Sequence, residues 1–176
     1  MIDFTADFFA LFDLPRRFRI DAAALDRAYR TLQGAIHPDR HSGADDAGRR
    51  LALQASARVN EAYGVLGDAA ARGEYLLSLN GVESMSETDT AMPMDFLAAQ
   101  MERREEIEAA QSAGDQGALE SALEAINAER AALEAALGAA LDDTADLAAA
   151  KTAVRQLRFL DRVREEINDA LIEVEA

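Results

Sequence analysis

The chain carries two histidines, His37 and His41, and the first sits beside an acid in the run Ile36-His37-Pro38-Asp39-Arg40. An imidazole close to a carboxylate is a common pairing for proton transfer. That chemistry needs a concave pocket and a third polar partner, and a short exposed turn supplies neither. His37 and His41 lie four residues apart, a spacing that could ligate a metal ion on one face of a helix. Pro38 falls between them and Ser42-Gly43 follows, so the segment reads as a loop instead. The chain has no cysteine, hence no thiolate nucleophile, no disulfide and no sulfur ligand for zinc or an iron–sulfur cluster. No metal site and no cofactor are expected. What remains is mechanical: Pro38 ends a helix and biases His37 toward extended backbone, which holds His37 and Asp39 on a rigid turn.

Two helical patterns must position that turn. Upstream, Leu25, Ala28, Tyr29, Leu32 and Ile36 recur at spacings of three and four. Downstream, Ala52, Ala55, Val59, Ala62, Tyr63 and Leu66 do the same. Asp21 is placed to cap the first of these helices. Before it, Asp7-Phe8-Phe9-Ala10-Leu11-Phe12 predicts a short apolar helix stopped near Leu14-Pro15, its aromatics bracing the hairpin. After it, residues 68–77 predict one or two further helical turns.

The tripeptide, together with Tyr29-Arg30-Thr31-Leu32 before it and Asn60-Glu61-Ala62-Tyr63 after it, resembles the J domain, the module that recruits and activates DnaK-type ATPase chaperones. By that resemblance His37, Pro38, Asp39 and Arg40, with Arg27 and Arg30 on the preceding helix, face the chaperone. Asp26, Thr31 and Gly34 stand where a strongly basic surface would carry Lys or Arg. So thin a basic face suggests one dedicated chaperone.

Charge is unevenly spread. Residues 1–79 carry 10 Lys/Arg against 11 Asp/Glu, while residues 80–176 carry 8 against 22, which places nearly all of the net charge of −15 in the second half. So acidic a surface argues against nucleic acid and anionic membrane as partners and favours a basic protein. No apolar run approaches membrane-spanning length, and Asp3 and Asp7 are wrong for a signal or mitochondrial presequence, so a cytoplasmic protein is expected.

Between residues 80 and 94 the periodicity fails, which predicts a linker. Three more helical patterns follow in residues 95–176: one from Asp95 to about Ala113, ended by Gly114-Asp115; one with Leu119, Leu123, Ile126, Leu133 and Leu137; one from Leu147 to Val174. The predicted fold is all-α, with residues 1–79 as a helical hairpin with short flanking helices and residues 95–176 as a three-helix bundle. Some apolar residues miss the bundle seam. Phe96 and Ile107 point one way on their helix, whereas Leu97 and Met101 point elsewhere, in line with Glu105 and Glu108. Phe159 lies outside the stripe of Val154, Leu157, Leu160, Ile167 and Leu171. Periodicity leaves two readings open for Leu97, Met101 and Phe159: a docking patch rimmed by acids, or ordinary packing.

Asp7-Phe8-Phe9 … Leu14-Pro15, His37-Pro38-Asp39, Glu74-Tyr75-Leu76-Leu77-Ser78-Leu79, Phe96-Leu97 … Arg104-Glu105-Glu106 and Leu157-Arg158-Phe159-Leu160-Asp161 together resemble the HscB family, the J-type co-chaperones of iron–sulfur cluster assembly. The likeness spans nearly the whole chain. It implies docking to an HscA/DnaK-type ATPase chaperone through the J domain. It also implies binding of an IscU-type iron–sulfur scaffold protein through Leu97, Ala98, Met101, Glu102, Glu105 and Phe159 on an acidic bundle. Ala98 is smaller than the family's usual apolar residue there, and Ala109 stands where an acid is expected. The resemblance makes the chain a non-enzymatic co-chaperone. A J protein for another client and an acid–base enzyme using His37 and Asp39 are the alternatives. Because a turn residue contributes little to a core, His37→Gln should leave the fold intact and abolish stimulation of the chaperone's ATPase, checked by steady-state ATPase rate alongside a circular dichroism melt.

Overall fold

Asp7 opens the first helix: its side chain accepts the Ala10 N–H at 2.9 Å and pairs with Arg16. That helix, α1, spans Phe8–Leu11 and is followed by α2, Ala22–Ile36, and α3, Asp46–Gly67. These come from a computed structural model, which describes residues 3–36, 46–84 and 91–175. Then come α4, Ala69–Leu79; α5, Met94–Ala113; α6, Gln116–Gly138; a π-helical stretch, Ala139–Thr144; and α7, Leu147–Glu175. Every regular element among the described residues is helical. The chain divides into two units, Met1–Leu76 and Leu77–Ala176, with the division falling inside α4.

In the first unit α2 and α3 form the predicted hairpin, with Leu25 and Ile36 buried on one side and Ala52, Ala55, Val59, Ala62 and Leu66 on the other. Asp21 caps α2 by accepting the Ala24 N–H at 3.1 Å. Alanines on α3 let the two backbones approach, and aromatics fill the rest: Phe8, Phe9, Phe12 and Phe18 are all buried. Phe8 stacks on Tyr75 with ring centroids 4.4 Å apart, and Arg58 lies 4.5 Å over the Phe8 ring. Arg72 covers the Phe18 ring at 4.6 Å and donates to the Phe18 carbonyl at 2.8 Å, fixing the segment between α1 and α2.

The second unit contains the three-helix bundle. Gly114 ends α5 in the left-handed conformation (φ 65°), which a side chain would disfavour, and Asp115 at once caps α6 through the Ala118 N–H at 3.0 Å. Phe96, Ile107 and Ala110 of α5, Leu119 and Ile126 of α6, and Leu160, Ile167 and Ala170 of α7 form one buried cluster. Two interhelical ion pairs flank it, Arg103–Glu129 at 2.7 Å and Arg130–Asp161 at 2.8 Å. α6 packs on α7 along most of its length, whereas α5 touches both more sparingly.

The described ends of the expected linker are held against this unit. Arg155, buried on α7, donates from Nε to the Ser84 carbonyl at 2.7 Å and from a terminal nitrogen to the Ala91 carbonyl at 3.1 Å. Truncating Arg155 to Met would remove both charge-assisted bonds and strand two carbonyls. The expected loss is about 2–3 kcal/mol, read from the urea midpoint, with partial recovery in Arg155→Lys, whose single ammonium lacks the planar fork.

Candidate functional site

On the hairpin, a polar ladder joins α2 to α3 along one side. Tyr63 donates to Asp26 Oδ1 at 2.8 Å, Tyr29 donates to Asn60 Oδ1 at 3.0 Å, and Gln33 donates to the Tyr29 hydroxyl at 3.1 Å. The Tyr29 and Tyr63 rings stack with centroids 4.0 Å apart. The hydrogen bond to Asp26, with that carboxylate's charge, holds the Tyr63 phenol above its ordinary pKa. The ladder fixes the pitch of the hairpin and thereby the direction in which α2 presents its outer face. Sequence patterning placed both tyrosines in the apolar stripes and missed their hydroxyl partners; the available signal was a tyrosine on each helix facing short polar side chains.

Arg27 and Arg30 lie exposed on α2, and each has a nearby acid within reach, the capping Asp21 at 3.7 Å and Asp26 at 3.8 Å. In solvent such pairs are weak, so both guanidinium groups stay available to a partner. His37, Pro38, Asp39 and Arg40 lie outside the described residues, as does His41. Among the described residues no group of three or more His, Cys, Asp or Glu side chains could hold a metal ion. No helix among them is long and apolar enough to cross a membrane.

On the bundle, α5 serves two purposes on two sides. Phe96, Gln100, Ile107 and Ala110 face inward. Met101 stands out at 69% exposure, Ala98, Glu102 and Glu105 are exposed, and Leu97 is half-buried at the boundary. Phe159 of α7 is half-buried: it meets the edge of Phe96 with centroids 5.7 Å apart, and Arg162 lies 5.8 Å from its ring centroid. The three apolar residues differ in exposure. Met101 is surface, and Phe159 packs at the rim of the core. The Phe96 contact brings Phe159 to the first turns of α5, where Leu97 and Met101 lie. Leu97 and Met101 stand beside the exposed acids Glu102 and Glu105 of the same helix.

Residues 92–168 match a family described as the HSCB C-terminal oligomerisation domain. The chain is 43% identical over 170 residues to a co-chaperone protein HscB homolog of Azoarcus, a match covering 97% of this chain and 96% of the other. Among solved structures it is similar to chaperone HscB from Vibrio cholerae, with a TM-score of 0.85 and 33% identity over 96% of this chain and 99% of that one. It is also similar to human co-chaperone protein HscB, with a TM-score of 0.87 and 31% identity over 94% of this chain and 82% of that one. With these matches running across both units, the chain belongs to the HscB family of co-chaperones.

Proposed function

We propose that this chain recruits an HscA/DnaK-type ATPase chaperone with one unit and an IscU-type iron–sulfur scaffold protein with the other, and so aids transfer of the scaffold's cluster. In this reading residues 1–79 act as a J domain: His37, Pro38 and Asp39 on the turn, with Arg27, Arg30 and Arg40, meet the chaperone and stimulate its ATPase. Residues 80–94 connect that domain to residues 95–176, where Leu97, Ala98, Met101, Glu102, Glu105 and Phe159 meet the scaffold. The observation that carries the reading is the two-sidedness of α5, whose core is satisfied by Phe96 and Ile107 while Met101 remains 69% exposed among acids. A large apolar side chain left this exposed gains little from folding and is free to serve as an interface anchor.

The mechanism is proximity. ATP hydrolysis takes place in the chaperone's own site, and the cluster is cargo on the scaffold. A chain that holds both partners turns a bimolecular encounter into a nearly intramolecular one, at an effective concentration that can reach the millimolar range. Arg27 and Arg30 on α2 supply charge for docking, and the weakness of their local ion pairs keeps the cost of release low.

Because Phe159 braces Phe96, its removal would lower stability as well as binding, so the clean test uses α5 alone. The double variant Leu97→Ala/Met101→Ala should melt within a few degrees of the wild type and bind the scaffold at least ~30-fold more weakly by calorimetry, the loss of about 2 kcal/mol expected for an apolar anchor pair. Unchanged affinity in that folded variant would contradict the assignment.

A further inference from the structure

α5 and α7 both pack mainly on α6, which leaves a groove of about 470 Å³ between them. Its length is set by two contacts that bridge the helices: the Phe96–Phe159 edge contact near the start of α5, and a hydrogen bond of 2.6 Å from Gln111 to Glu173 near its end. Ile107 and Ala170 form a buried floor, with half-buried Val163 beside them. A space of this size falls in the range of about 300–1,000 Å³ that protein ligand sites occupy.

The charges along the groove are unequally matched. Midway along α5, Arg104 pairs with Glu108 at 3.2 Å, and at the Phe159 end Arg162 lies 5.8 Å from that ring's centroid. Farther along α7, Glu166 and Asp169 are exposed, three residues apart on the side that lines the groove, and neither pairs with a cation among the described residues. Phe159 lines this groove and is also one of the residues proposed above to meet the scaffold. The two surfaces are therefore continuous.

We infer that the α5–α7 groove is a second subsite for the scaffold, taking a basic, amphipathic segment whose apolar side chain lies over Ile107 and Val163 and whose Lys or Arg meets Glu166 and Asp169. This rests on the scaffold reading above and extends it from α5 onto the last turns of α7. It also gives the acidic charge of α7 a specific task. Exposed carboxylates act mainly on association and through screened attraction, so their contribution should depend on salt, whereas the Leu97–Met101 anchor should not.

The test uses the full chain and the apo scaffold protein of the same organism, with affinity measured by calorimetry at about 20 mM and about 300 mM salt, on either side of the regime where the screening length falls well below 10 Å. Glu166→Lys/Asp169→Lys is compared with Glu120→Lys/Glu124→Lys, which makes the same charge change on exposed positions of α6 away from the groove. Glu166→Gln/Asp169→Asn serves as the milder second variant should the reversal fold poorly. The expected result is at least tenfold weaker binding for the groove reversal at low salt, shrinking at high salt, with the α6 control near wild type. Stimulation of the chaperone's ATPase in the absence of scaffold should be unchanged. Wild-type affinity in the groove variants, or an equal loss in the α6 control, would overturn the inference. If in addition Leu97→Ala/Met101→Ala binds normally, or the wild type does not bind the scaffold at all, the scaffold reading itself is overturned.

Discussion

The surface proposed to bind the scaffold depends on how α7 divides its circumference between two neighbours. One stripe, Val154, Leu157, Leu160 and Ile167, is fully buried, and the long contact with α6 accounts for much of it. A second stripe turns toward α5, with Ala170 buried but Phe159 and Val163 only partly covered. Had α5 packed as closely on α7 as α6 does, Phe159 would be core and the groove would be filled. The sparse α5–α7 contact leaves apolar surface at the rim of an otherwise closed bundle.

Electrostatics divides the chain along the same lines. The bundle's interhelical cations are spent on structure: Arg103 and Arg130 pair across helices, and Arg155 holds the carbonyls of Ser84 and Ala91. Buried or half-buried arginines of this kind are costly to strip of their partners, so they fix geometry and are poor candidates for recognition. Apart from their partners, the bundle's carboxylates outnumber them and are mostly exposed. On the hairpin the order is reversed: acids and tyrosines knit α2 to α3 through Asp26 and Asn60, and Arg27 and Arg30 remain on the surface. Each unit thus keeps inward what sets its shape and outward the charge that its proposed partner would need.

Much of this was legible from residue spacing. The stripes of α2 and α3, the cap at Asp21 and the stop at Gly114-Asp115 follow from local rules that depend on a few neighbouring residues. Phe159 was harder, because periodicity reports one seam and a helix with two neighbours has two. Its place at the rim is set by Phe96, a residue 63 positions away in sequence. The hold of Arg155 on residues 84 and 91 could not be read at all, since an arginine in a helical pattern defaults to the surface and its partners are backbone carbonyls that no pattern marks. The hydroxyl ladder was hidden for a similar reason: tyrosines count as apolar in a stripe, and their polar ends show only when the opposing helix is in place.

The central claim is that one chain couples two partners by proximity. It is tested most directly by the steady-state ATPase rate of the cognate chaperone, titrated with this chain, with the scaffold, and with both together. Coupling predicts a synergistic rate with both present, well above the sum of the separate stimulations, and half-maximal at a lower concentration of this chain than in the scaffold's absence. Simple additivity, with the half-maximal concentration unmoved by scaffold, would contradict the account.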